Sequence, residues 1–340
     1  MSALGGEDLL TLPIEAEQVN KAEYLSVLSP KDKPWDRHRG EADDVTEVYA
    51  GSPHGRHQRY GIRVEQCSQV IGFARDPPTH GISSKLKLKT AWFCRVRHCP
   101  VCQWRRSLCW QAKVYQALPR LVKDYPRVRF LFMTLTIKNC PIVKLRETLD
   151  ILRRGWERMT KLRRWPAIGW VRSVEITRGK DGSAHPHYHC LLMVHPGYFE
   201  DGYLQQADWV AMWRDCLRIN YNPIMDIRVV VPDHKPHRRK GPGPCDIWGA
   251  VVEILKYSVK PSDMVKDHRW FLTLVDQVWK TKAVVIGGVF KRYITEREQD
   301  DLTREPGSEP SAEEAEQLCF AWKQSVRKYR KVSSLSPVVG

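Results

Sequence analysis

Two runs, GWVRSVEIT (Gly169 to Thr177) and HYHCLLMV (His187 to Val194), constrain this 340-residue chain more than any other feature. Both are too short for a free-standing helix and are joined through the turn sequence GKDGS. Two strands separated by a Gly-containing connection read as an antiparallel hairpin. A third run, RVRFLFMTLTI (Arg127 to Ile137), is bounded by Pro126 and Asn139 and reads as a further buried strand. Between them, Leu145, Leu149, Leu152, Trp156, Met159 and Leu162 recur at spacings of three and four, which predicts one apolar helix face over 142–162.

The same reasoning predicts a helix near 207–217, a strand at 225–231, a helix over 247–260 stopped by Pro261, and a last strand at 283–290. Strands with helices grouped between them point to an α+β fold on an antiparallel sheet, not a regular parallel βαβ array. Upstream, short β-like pieces (IRVEQC, KLKTAWFC) precede a basic helix over about 103–118. Residues 1–58 mix acids, Gly and Pro without a sustained period and read as an extension with little core of its own. The chain thus divides into that extension, a module at 59–125, a domain at 126–295, and an acidic then basic tail at 296–340.

The hairpin carries chemistry. Residues two apart on a strand share a face about 6.6–7 Å apart, so His187 and His189 in HPHYHC can aim at one ion. His185 has the same parity, with Pro186 as a possible strand end. Alternation on the preceding strand places Glu175 with Ser173 and Thr177, opposite Val174 and Ile176. A carboxylate on such a strand is costly unless a metal or a base neutralises it. Mixed imidazole and carboxylate donors suit Mg²⁺ or Mn²⁺ acting on a phosphodiester. In EILKYSVK (253–260), Glu253 and Tyr257 are spaced i, i+4 on the expected helix, with Lys256 and Lys260 as basic neighbours. By itself that spacing is far more often packing with a surface ion pair, and it gains weight only through its company.

Ten cysteines are present. Cys67, Cys94, Cys99 and Cys102 give C-x26-C-x4-C-x2-C, a candidate structural Zn²⁺ site, with His98 or Cys109 as substitutes for a ligand. Four scattered core thiols are the alternative. The start of the sequence lacks a basic, apolar signal segment and no run of 18 apolar residues occurs, so a reducing cytoplasm is expected, without a membrane span.

The charge balance names a partner class. Residues 296–318 hold nine acids and two bases and the last 22 residues five bases and no acid, so of the total +16 the first 295 residues carry +18. Such a body attracts polyanions. Arg105 and Arg106 in WRRSLCWQAK, together with ILRRGWERMTKLRRW and HKPHRRK, interleave bases with tryptophans in the manner of single-strand binders.

Taken in order, FCRVRHCPVCQWRR (93–106), FMTLT (132–136), SVEITRG followed by HPHYHCLLMV, and EILKYSVK resemble the rolling-circle plasmid replication initiators of the HUH endonucleases, over roughly residues 60–295. The resemblance implies an antiparallel HUH nuclease core preceded by a small zinc-binding module. It implies His187, His189 and Glu175 as ligands of a divalent ion, Tyr257 as nucleophile, and Glu253 as the acid that activates water at termination. It also implies plasmid origin DNA as partner, with a host helicase and polymerase. The competing readings are a transposase or relaxase with the same core, a non-catalytic zinc-containing DNA-binding regulator, and a zinc-ribbon RNA-binding protein.

Overall fold

In the computed structural model the described residues are 21–75, 86–230, 246–256, 258–294, 301–303 and 316–332. In chain order the main elements are α1 (Leu25–Leu28), α2 (Pro34–Ala50), α3 (Gly55–Gln66), β1 (Val70–Arg75), β2 (Leu86–Ala91), α4 (Pro100–Asp124), β3 (Arg129–Thr136) and α5 (Leu145–Met159). There follow β4 (Ala167–Arg178), β5 (Ala184–Val194), α6 (Gln206–Leu217), β6 (Met225–Val230), α7 (Ile247–Ile254), α8 (Pro261–Lys266), α9 (His268–Gln277), β7 (Val284–Gly288), β8 (Glu316–Lys323) and β9 (Lys328–Val332).

The chain is α+β with antiparallel sheets, as the patterning predicts. Five strands form one sheet in the order β6-β3-β5-β4-β7, every neighbouring pair antiparallel. The hairpin of β4 and β5 lies at its centre, with Glu175 opposite His187 and Ser173 opposite His189. Period-2 alternation then splits β5 between two apolar layers. Tyr188, Cys190, Leu192 and Val194 join the cluster that contains Leu149, Leu152 and Trp156 of α5 and Trp209 and Trp213 of α6. Leu191 and Met193 join the opposite cluster, with Val114 and Leu118 of α4 and Ala250, Val251 and Ile254 of α7. Helices thus cover both faces, which explains why these strands are apolar on both.

The second sheet has the order β2-β1-β8-β9 and joins strands from the N-terminal and C-terminal parts of the described residues. The described residues of the expected extension (21–58) and of the expected tail (301–303 and 316–332) therefore belong to a core. Helix α2 buries Trp35, Ala42, Val45, Val48 and Tyr49, while β8 and β9 bury Leu318, Phe320, Trp322 and Tyr329. Polar bonds lock these ends together: Trp322 Nε1 donates to Asp43 at 2.9 Å, Arg327 bonds both Asp44 oxygens, and Tyr329 Oη donates to the Ser68 carbonyl at 2.6 Å. The low hydrophobicity of both segments concealed this, because the apolar side chains are few and large.

Two local readings are corrected. IRVEQC is the end of helix α3, whose buried positions His57, Gly61 and Val64 follow i, i+4, i+7. Helix α7 ends at Ile254 instead of running on to Lys260, so Glu253 lies in its last turn. The open edge of β4 competes for the backbone there: Ile176 N–H donates to the Ser258 carbonyl at 2.9 Å, and Val259 is buried. Pro186 does not end β5, which starts at Ala184 and carries His185, His187 and His189 on one side.

Candidate metal and nuclease site

β5 sits between β3 and β4, so His187 and His189 are fixed on both flanks: His189 pairs with Thr134 and Ser173, His187 with Thr136 and Glu175. Both imidazoles and the Glu175 carboxylate are buried beneath α7. Glu175 Oε2 is 3.1 Å from His189 Nε2 and 3.4 Å from His187 Nε2. One donor atom from each of the three lies within 4.8 Å of the others, a spacing that one metal ion can bridge.

Hydrogen bonds set the chemistry of these rings. His187 Nδ1 is 3.2 Å from the carbonyl of His185, and a carbonyl only accepts, so Nδ1 carries the proton. In the neutral ring, Nε2 then presents a lone pair to a carboxylate oxygen, two acceptors facing each other. Only a cation between them, a proton or a metal ion, makes that contact favourable. His189 Nδ1 has Thr134 Oγ1 at 3.2 Å, which permits the same tautomer. Burial alone would raise the Glu175 carboxyl, but its contacts with the His187 and His189 rings and with the Lys256 ammonium outweigh it and hold it well below the usual carboxylate range.

Lys256 bridges the two acids, with Nζ 3.0 Å from Glu175 Oε2 and 2.5 Å from Glu253 Oε1. Glu253 Oε1 is in turn 3.9 Å from His189 Nε2. The structure thus brings Glu175, His187, His189, Glu253 and Lys256 together. Sequence reasoning had Lys256 only as a basic neighbour and missed its contact with Glu175. Tyr257 lies outside the described residues. Its sequence neighbour on the other side, Ser258, bonds β4 through its carbonyl and has its hydroxyl 3.2 Å from Gln103 Oε1. Lys260 is exposed at the start of α8. His185 stands apart from the metal-competent trio, its Nδ1 bonded to Asn139 Oδ1 at 2.6 Å.

A second cluster gathers Cys67 from the end of α3, Cys94 from the loop after β2, and Cys99 and Cys102 from the start of α4. All four are buried, and their sulfurs lie within 4.8 Å of one another. Cys102 Sγ is 3.6 Å from the sulfurs of Cys67 and Cys94, far beyond a disulfide. Four thiolates about 2.3 Å from a tetrahedral zinc would stand about 3.8 Å apart, so the donor set fits that ion. Hydrogen bonds from the other three thiols push the Cys102 thiol well down, while hydrogen bonds within the cluster and burial push those of Cys67 and Cys99 up. His98 and Cys109 are buried but do not join the cluster.

The two arginines of α4 expected at phosphates are bonded within the chain. Arg105 is fully buried and donates from Nε to the Leu302 carbonyl and from a terminal nitrogen to that of Thr303, both at 2.8 Å. Its guanidinium also lies over the rings of Trp35 and Trp104. Arg106 bonds the carbonyls of Arg95 and Arg97 and shapes the loop between Cys94 and Cys99. Trp156 and Trp165 of the second interleaved run pack edge to face at 5.6 Å, within or against the core cluster that covers this face of the sheet. The HKPHRRK run lies outside the described residues.

Comparison with known proteins defines the class. The chain matches the replication protein family over residues 85–330, a range that starts later and ends later than the 60–295 span of the motifs. It is 30% identical over 279 residues to a "Protein rep" of Streptococcus pneumoniae serotype 2 (78% of this chain, 82% of that one). It is 31% identical to a "Protein rep" of Lentilactobacillus hilgardii (71% and 76%) and 26% identical to a "Replication protein" of Staphylococcus aureus (63% and 95%). The chain therefore belongs to the replication protein family of rolling-circle plasmid replication initiators. No solved structure matches it. No helix of the described residues is long and apolar enough to cross a membrane.

Proposed function

We propose that this initiator nicks and rejoins one strand of its plasmid origin through a covalent 5′-phosphotyrosine at Tyr257. The observation that carries the reading is the buried trio of Glu175, His187 and His189 on one sheet face, with Glu253 beside it. A divalent ion held by that trio, Mg²⁺ or Mn²⁺, supplies Lewis-acid polarisation of the scissile phosphate. The Tyr257 oxygen attacks phosphorus as the bond to the 3′ oxygen breaks. The phenol proton goes to a neighbouring base or water, and the released 3′ oxygen takes up a proton as a primer hydroxyl. Because the phosphoester is exchanged and not hydrolysed, rejoining needs no nucleotide cofactor. Cys67, Cys94, Cys99 and Cys102 would hold a structural Zn²⁺, which would stabilise the module that precedes the nuclease sheet. Plasmid origin DNA is the substrate, single-stranded or as a hairpin; a host helicase unwinds the duplex and a host polymerase extends the freed 3′ end.

The test is incubation of the protein with single-stranded DNA of its origin and Mn²⁺, followed by denaturing electrophoresis for a protein–DNA adduct. Tyr257→Phe, His187→Ala and His189→Ala are expected to lose the adduct and keep DNA binding. Adduct formation that persists in excess chelator, or in Tyr257→Phe, would sink the mechanism.

A further inference from the structure

The face of the sheet opposite the metal-competent trio holds a cavity of about 410 Å³ between β4, α5 and the segment 280–282. Its charge is one-sided: Arg97, Arg146, Arg153, Arg172, Lys280 and Lys282 line it. The two acids there, Asp150 and Glu157, are both engaged by Arg153, at 3.5 and 2.8 Å. Arg172 is the decisive group. It is only 8% exposed, and its Nε and one terminal nitrogen have no hydrogen-bond partner. Ring faces of Tyr188 and Trp156 meet this guanidinium, but those two N–H groups still lack an acceptor, which an anion would supply. Arg97 is half-buried, with Nη1 bonded to the carbonyls of Val278 and Thr281 and only its Nε left without a partner. Burial, with the like charges of Arg106 and Arg146, pushes it down to about 10.

The rest of the lining is apolar and aromatic. Leu149, Val174, Ile176 and Val285 form a wall, and the Arg172 guanidinium lies 4.0 Å from the Tyr188 ring centre and 5.2 Å from that of Trp156. Inorganic phosphate would leave that wall empty. Pockets of roughly 300–1,000 Å³ with apolar walls and a few placed charges suit a small organic ligand. A guanidinium plane backed by aromatic rings is a surface on which a base can stack.

We propose that this cavity binds a nucleotide, its phosphate taken by Arg172 and the rim lysines and its base laid against the apolar wall. The nucleotide is either free or the phosphorylated end of a DNA strand. The site lies behind the sheet from Glu175 and does not depend on the nicking mechanism.

Calorimetric titration of the full-length protein with dAMP, inorganic phosphate, and a short oligonucleotide with or without a 5′ phosphate separates the sources. Binding of dAMP assigns a free nucleotide, and binding of the 5′-phosphorylated oligonucleotide alone assigns a strand end. Either supports the proposal. Arg172→Gln is expected to weaken binding by about ten- to a hundredfold, as loss of a charge-assisted bond does. Lys280→Gln with Lys282→Gln, at exposed positions, gives a second variant that leaves the core alone, with weakening expected there too. His187→Ala, on the other face, is expected to bind as the parent does. Inorganic phosphate binding as tightly as dAMP, binding unchanged in both the Arg172 and the lysine variants, or no binding at all would overturn the proposal.

Discussion

Glu253 owes its neighbours to the end of a helix. Its carboxylate reaches His189 at 3.9 Å and Lys256 at 2.5 Å from the last turn of α7, with Asp246 capping the first turn through the N–H of Gly249. If Glu253 served only the helix, Glu253→Ala would cost a few tenths of a kcal/mol and leave the reaction alone. If it activates the terminating water, the variant still nicks and forms the adduct through Tyr257, because the trio of Glu175, His187 and His189 remains. The covalent product then accumulates and hydrolysis at the second site falls. A parental ratio of hydrolysed to attached product in Glu253→Ala would move the base elsewhere, with Glu175 the next residue to substitute. The histidine pair was legible in the sequence because strand periodicity is rigid and short-range. Lys256 as a partner of Glu175 was not, since that contact depends on where α7 stops, and a tertiary hydrogen bond to β4 decides it.

The four cysteines show how separate elements converge on one point. The C-x2-C of α4 was readable from spacing alone. Cys94 and Cys67 join it because β2 returns the chain beside α4 and α3 ends there. The N–H of Cys94 donates to Cys67 Sγ at 3.5 Å, a bond that favours the thiolate. Binding a metal at such a cluster contributes directly to folding free energy. Cys99→Ser is therefore expected to lower the thermal midpoint and soluble yield, and a strong chelator to do the same in the parent. Elemental analysis should find one zinc per chain. Well-folded, freshly purified protein without zinc would defeat the assignment. The sequence misread α3 as β-like because IRVEQC alternates locally, while its buried face is set by a helical period that reaches back to His57.

At the scale of the whole molecule, the ends of the chain hold each other. β1 is paired on one side by β2 from its own module and on the other by β8, so without the C-terminal strands an apolar strand edge stands open. That closure was not legible, because long-range pairing leaves no periodic trace and the acidic run ahead of β8 resembles a solvated tail. Arg105 secures the path, bonding Leu302 and Thr303 from within the core beside Trp35. Arg105→Ala removes a buried cation and leaves two carbonyls short of donors. A loss of about 3 kcal/mol of stability is expected, seen as a lower thermal midpoint with affinity for origin DNA in the folded protein unchanged. A phosphate-binding arginine would show the reverse, weaker binding and a shallower salt dependence at the parental midpoint. A chain ending at residue 301 separates the two further. It lacks both carbonyls together with β8 and β9, so it is expected to be less stable and prone to self-association by size-exclusion chromatography. In that background Arg105→Ala should add little, since residues that act through one contact are not additive. Full additivity of the two changes would show that Arg105 stabilises the module by some route other than holding the returning chain.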